Sequence, residues 1–528
     1  MSFKKTILAV AAVGALTAAT AVPAMALENE FHGMYKMKYF VSNLDNASNG
    51  YFYEGPSAAQ LSKGTSQSAS NYFEQRARLF YSAKANDDLK LVLGFEIDSV
   101  FGDRSQGSLF TATGASSTST GAAAGTTFRN SGGALDTDAV NLETKWVYLD
   151  FNVPGAPVNV KVGTQAIKDS LKGVLFDVDA GGIYTSTKIG NSAKVNVGYF
   201  RGYEGNGGDL TGGSGVTGGL GFKMGVNNLD LVILEGKYNL TKDIAVGANY
   251  YGYFDYRSSA ATILDHTFGV NADANVGPVN LSGFLAGQLG VIRNQTGAAT
   301  GTVNNSSADV DLNGVAANVT AKVKVGPGTA KLAGLYTSGD SGNRAGHNHS
   351  WLSLQQSASG AVGQSSSSSL NSYNDSGMML MNRNAAAQGT TTDRSIGWTS
   401  NNRDQGLILA TAGYDANLTP KLYANANVGF GWTSASRTAN VNDVGDGDAL
   451  KPVITGGGAA GRRNASNFLG TEVNVETGYK LYDNLTASVQ AAYLVLGSYY
   501  KATNQIPGKA GTDPDNLYST RVVLSYTF

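Results

Sequence analysis

Apolar and polar residues alternate along most of this chain with a period of two. Counting back from Phe528, one face carries Tyr526, Leu524, Val522, Thr520 and Tyr518, and the other carries Thr527, Ser525, Val523, Arg521 and Ser519. Side chains point to opposite faces of a strand, so this pattern predicts a strand with an apolar face and a wet face. Residues 29–42 repeat it: Phe31, Tyr35, Met37, Tyr39 and Val41 stand against His32, Lys36 and Lys38. In 71–84, Phe73, Ala77, Leu79 and Tyr81 oppose Glu74, Arg76 and Arg78. In 89–101, Leu89, Leu91, Leu93, Phe95 and Ile97 oppose Lys90, Glu96 and Asp98. Later segments around Val158, Ile244, Leu422 and Leu469 have the same form.

The connections alternate as well. Short ones fall near 85–88, 154–157, 190–192, 239–243, 275–278, 325–328, 417–420 and 481–484. Between them lie polar, mostly longer ones near 43–70, 102–138, 166–181, 204–228, 257–261, 293–307, 338–404, 434–465 and 500–516. Short turns at one end and long loops at the other are the pattern of a transmembrane antiparallel β-barrel. The segments add up to about 18 strands, or 16 if the weaker ones merge. Nine of the ten prolines follow Pro23, and none lies inside an alternating segment. A sheet without a free edge excludes proline from strand interiors, because proline cannot donate to the ladder. The expected fold class is therefore all-β, with odd-numbered residues such as Leu91 and Leu93 facing lipid.

The first 26 residues follow a different rule. Lys4 and Lys5 precede an apolar run from Thr6 to about Val22, and Ala24-Met25-Ala26 is an A-x-A cleavage site. This is the form of a secretory signal, so the expected organisation is a signal peptide over 1–26 and a single barrel over 27–528. No later window approaches the ~18 consecutive apolar residues of a membrane helix.

Composition narrows the function. Cysteine is absent, which excludes disulfides, thiolate metal sites and covalent c-type haem. Charged residues make up 15% of the chain, below the ~25% of soluble domains. The 68 glycines and 26 tyrosines suit turns and aromatic girdles. A formal net charge of −1 argues against a nucleic-acid partner.

Catalytic chemistry is sparse. Of four histidines, His32 and His266 fall in different predicted strands, and no serine or carboxylate motif is tied to either. His347 and His349 lie in the long connection and make a poor metal site on their own. Residues 456–461 match G-x-G-x-x-G without a strand–helix context. The acidic loop 442–448 lacks the bidentate Glu of a Ca²⁺ loop. The expectation is a non-enzyme without cofactor or metal.

The leader, the segment Glu74-Gln75-Arg76-Ala77-Arg78-Leu79, the strand 158–163 after its Pro-Gly-x-Pro turn, and the terminal Tyr526-Thr527-Phe528 together resemble the Gram-negative outer-membrane porin superfamily. The resemblance covers the whole mature chain as an architectural pattern. It implies a water-filled channel for passive diffusion of ions and small hydrophilic solutes; the even strand count puts both termini in the periplasm. The resemblance also implies a homotrimer, contact with outer-membrane lipid and lipopolysaccharide, and a terminal Phe528 read by the barrel assembly machinery. In that family the connection after the fifth strand folds inward. Its counterpart here is 166–181, with Lys168, Asp169, Lys172, Asp177 and Asp179.

The inner-face residues Lys36, Lys38, Arg76 and Arg78, with Asp169, Asp177 and Asp179 opposite, are thus the candidate pore-lining set. Opposed charges across a constriction set ion preference. Three readings follow: a diffusion porin, a substrate-specific channel with lumen aromatics such as Tyr251 and Tyr253, and a non-conducting barrel serving surface adhesion or sheathing a cytochrome. The connection 338–404 is unusually long and carries a small apolar patch, Met378-Met379-Leu380-Met381. It is expected to cap the pore, fold into it or contact a neighbour.

Overall fold

Each alternating segment forms a strand. The computed structural model describes residues 28–44, 69–101, 142–205, 227–256, 261–294, 309–340, 346–353, 372–382, 395–397, 405–435, 438–439, 462–463, 466–500 and 515–528. Eighteen long strands make up the barrel. The first nine are β1 (Glu28–Ser42), β2 (Ser70–Asn86), β3 (Leu89–Val100), β4 (Glu143–Asn152), β5 (Val158–Lys168), β6 (Asp177–Ile189), β7 (Ala193–Gly205), β8 (Asn227–Asn239) and β9 (Ile244–Asp255). The others are β10 (Ala261–Val276), β11 (Val279–Asn294), β12 (Val315–Val325), β13 (Gly328–Thr337), β14 (Leu407–Asn417), β15 (Leu422–Trp432), β16 (Phe468–Tyr482), β17 (Leu485–Leu496) and β18 (Leu517–Thr527).

Neighbours in sequence pair antiparallel, and β1 pairs with β18 over Met34–Thr527 to Ser42–Ser519, which closes the sheet. Closure satisfies every ladder position internally, the condition for a sheet in lipid. Both ends of the described chain lie at the short-turn end. Glu28 pairs with Lys84 beside the turn at 87–88, and Phe528 pairs with Gly33.

The outer face is apolar. Leu91 and Leu93 sit opposite Leu149 and Val147, and the row continues through Val162, Ile183, Leu234, Val270, Val319, Leu332 and Val473, all exposed. In water such a surface would be costly; in a bilayer it is the required one. Aromatic pairs flank it: Phe31–Tyr81 at the short-turn end, with centroids 4.9 Å apart, and Tyr39–Phe73 at the other, 4.5 Å apart.

The buried core lies inside the barrel. The turn 169–176 after β5 folds into the lumen, with Leu171, Val174 and Phe176 fully buried. The connection is shorter than the expected 166–181, because the ladder continues to Lys168–Asp177. Residues 346–353 and 372–382 of the long connection also fold inward. Trp351 donates its indole N–H to the Val174 carbonyl at 3.2 Å. Met378 and Met381 press against Gly429 and Gly431 on the inner face of β15, where a Cβ would strike their sulfurs.

Candidate functional site: the lumen

The inner face divides into two sectors. Along β6 to β14 it is packed against the inward segments, with Phe200, Leu231, Ile233, Tyr251, Phe284, Leu335 and Leu409 buried there beside polar residues such as Glu235, Asp265, Gln288 and Thr320. Along β18 and β1 to β3 it carries charges. Lys38 reaches Glu74 at 3.3 Å. Arg76 forks onto Asp98 with bonds of 2.6 and 2.5 Å and also reaches Glu96 at 3.5 Å. Arg78 bonds Glu96. Arg521 donates to Ser519 Oγ at 3.1 Å and lies opposite Phe40 in the ladder. Lys36 lies opposite Arg76. A planar guanidinium gripping a carboxylate at two points is held in place as well as charged.

Lys36, Lys38, Arg76 and Arg78 therefore sit together on the inner face, as the alternation predicts. The two expected acidic partners do not join them. Asp177 and Asp179 lie on the outward parity of β6, in line with the exposed Ile183. Asp177 pairs with Lys168 at 2.9 Å, and Asp179 with Lys145 at 2.5 Å and the Trp146 indole at 2.7 Å. The physical reason is register. Arg76 and Arg78 face Asp98 and Glu96 directly across the β2–β3 ladder, and a cross-strand neighbour outcompetes a residue on a more distant strand.

Asp169 does turn inward, but it organises its own turn. Its two oxygens accept backbone N–H bonds from Leu171, Gly173, Leu175 and Phe176 at 2.5–2.8 Å. Burial still pushes its carboxyl up to about 6, against the pull of those donors. Ser170 completes the anchor: its N–H donates to the Tyr251 hydroxyl and its own hydroxyl to Glu235. Tyr251 and Tyr253 do face the lumen, but both are buried, bonded to Glu235 and Asp255.

The inward segment 372–382 is held at two points. At 379–381, three successive N–H groups donate to Glu472 at 2.6, 3.1 and 2.7 Å. The other point is Asp375. Its Oδ2 accepts from Lys172 at 2.7 Å and Thr320 at 2.9 Å, and its Oδ1 from Lys322 at 3.2 Å. Lys172 stands in the left-handed conformation, φ 64°, and spends its other two donors on Ser282 and Thr320, each at 3.0 Å. Burial opposes the charge of Asp375, but Lys172 and Lys322 outweigh it and hold the carboxyl below its usual range. Burial lowers Lys172, against the pull of Asp375 and with a smaller push from Lys322.

Comparison with known proteins adds the following. No family model matches the chain, and neither does any curated protein. Solved structures do resemble it across their length. Pseudomonas aeruginosa OccK8 (OprE) is 12% identical, with 95% of this chain and 98% of that one covered and a TM-score of 0.49. The outer membrane protein opdK from Pseudomonas aeruginosa is 12% identical over 95% and 98%, at 0.47. Acinetobacter baumannii OccAB1 is 12% identical over 95% and 96%, at 0.47. At this identity the functional reading rests on the chain's own residues.

The leader 1–26 and the motifs at 442–448 and 456–461 lie outside the described residues. His347 contacts Asp311 at 3.4 Å and stacks near His349; among the described residues no group of three or more His, Cys, Asp or Glu is placed to hold a metal. Sequence reasoning missed the partnership of Lys172, Lys322 and Asp375. The signal available was the length of the connection 338–404 and its apolar patch, which marked a segment with something to bury.

Proposed function

We propose that this protein is an outer-membrane channel through which ions and small hydrophilic solutes diffuse along the charged sector of the lumen. The observation that supports it most is the division of the inner face. Barrels of this size are wide enough to hold water. The inward segments cover the inner face from β6 to β14, while on the other sector Lys36, Arg76, Arg78 and Asp98 stay partly exposed, with Lys38, Glu74, Glu96 and Arg521 buried beside them. Polar solutes meet fixed charges there, and apolar ones must leave water without compensation. Location follows the apolar outer belt, with lipid and lipopolysaccharide around it and the short-turn end in the periplasm. Phe528 is then the signal for the assembly machinery, and a homotrimer is the expected assembly.

A selective rather than a general channel is favoured by one observation: three inward segments reduce the path to part of the cross-section. Single-channel recording in planar bilayers tests both. A channel gives stepwise currents, and a selective one has its current blocked by its solute. Folded protein that passes no current contradicts the proposal.

A further inference from the structure

We propose that Lys172, Lys322 and Thr320 form a binding site for a small oxyanion, and that Asp375 occupies it as a built-in competitor that holds segment 372–382 in the lumen. The site is built from parts that do not belong to that segment. Lys172 comes from the first inward turn, and Thr320 and Lys322 from the inner face of β12. Ser282 on β11 supplies a further acceptor for Lys172 and fixes its ammonium. Each oxygen of the Asp375 carboxylate receives one lysine, and one of them also receives a hydroxyl. That is the donor set a free carboxylate or phosphate would require.

The two anchors of the segment differ in access. Glu472 is fully buried and closed around its three backbone donors. The Asp375 side chain is 19% exposed and the Lys322 side chain 40%. Solute anions therefore reach the ionic anchor and not the other. An anion that takes the two lysines leaves Asp375 without partners, and the segment detaches at that end while Glu472 retains the other. The lumen widens at 372–376 in response to the anions it contains. Only this consequence for flow rests on the channel reading; the site itself rests on geometry.

The absence of cysteine makes the test direct. In the full chain, Ser376→Cys places one thiol beside Asp375 at a position where the native side chain is 3% exposed. The folded protein is treated with a maleimide in potassium chloride and in potassium phosphate at equal ionic strength and pH 7. Phosphate is expected to raise the labelling rate. Asp375→Asn in the same background is expected to raise it roughly tenfold, equivalent to about 1.4 kcal/mol, and to remove the effect of phosphate. Lys322→Gln is the second variant, with the same direction expected, should Asp375→Asn fail to fold. Labelling that is equal in the two salts, and unchanged by either variant, overturns the proposal. Bilayer recordings on the same samples separate the two claims. Current without any labelling response leaves the channel reading and removes this one; a labelling response without current does the reverse.

Discussion

Gly33 and Phe528 exchange both backbone hydrogen bonds, at 3.0 and 3.2 Å, and the Phe528 ring lies over the Gly33 α-carbon, where a Cβ would stand 2.7 Å from the ring edge. The pair closes the seam between β1 and β18 at its short-turn end. The terminal ring is thus a packing element of the closed barrel as well as a proposed assembly signal. Gly33→Val is expected to strike the Arg78 carbonyl across the β1–β2 ladder as well as displace the ring, and to cost about 1–3 kcal/mol, as overpacking does. Deleting Phe528 removes the hydrogen bonds too. Both variants should lower the fraction of heat-modifiable barrel on gels of outer-membrane fractions, the deletion more so. Wild-type levels in both would refute this role for the seam.

Glu472 anchors the apolar patch 379–381. Glu472→Ala leaves three buried N–H groups without an acceptor, each worth about 1–3 kcal/mol. Amides 379–381 are expected to exchange with deuterium at least about tenfold faster, while strand amides of β16 keep their protection. Uniform exchange across wild type and variant would show that the packing of Met378 and Met381 against Gly429 and Gly431 is sufficient by itself.

The inward segments 169–176 and 372–382 should respond to acid in opposite ways. Asp169 is raised in the folded state to about 6, so its folded form binds the proton more tightly than an exposed aspartate. The turn 169–176 then gains stability as pH falls from above 6 toward 3.8, the ordinary value. The titratable group that feels its charge there is Tyr251. Asp375 is lowered, so its contribution is complete above 3.8 and is lost as pH falls through the folded value. Hydrogen exchange, corrected for intrinsic rates, should show slower exchange at 171–176 at pH 5 than at pH 7. Exchange at 373–376 should accelerate only below the ordinary aspartate range. A single common response would contradict these assignments.

Most of the fold was legible because period-two alternation is enforced by lipid on one side and water on the other. Parity and the short turns follow from it, and strand number as 18 or 16. The partners of the lumen charges were less legible. Arg76 and Arg78 announce themselves by spacing, but Asp98 and Glu96 become their partners only through the β2–β3 register, fixed by the turn at 87–88. Lys172, Lys322 and Asp375 lie far apart in sequence, and nothing in the order of residues brings them together. The apolar patch at 378–381 did signal burial, since four large apolar residues in a polar connection must find a surface, but the surface they found was the interior of the barrel.

The central claim is that the charged sector conducts, and ion selectivity tests it most directly. Reversal potential in a salt gradient across a planar bilayer is to be measured for the wild type and for Arg76→Glu with Arg78→Glu. Arginine stays protonated across physiological pH, so the double exchange removes two positive charges and adds two negative ones beside Asp98 and Glu96. The account predicts a channel in both cases, with the variant shifted toward cations and the shift shrinking as the Debye length falls to ~3 Å at 1 M salt. A reversal potential and conductance that stay unchanged in a folded double variant would contradict it.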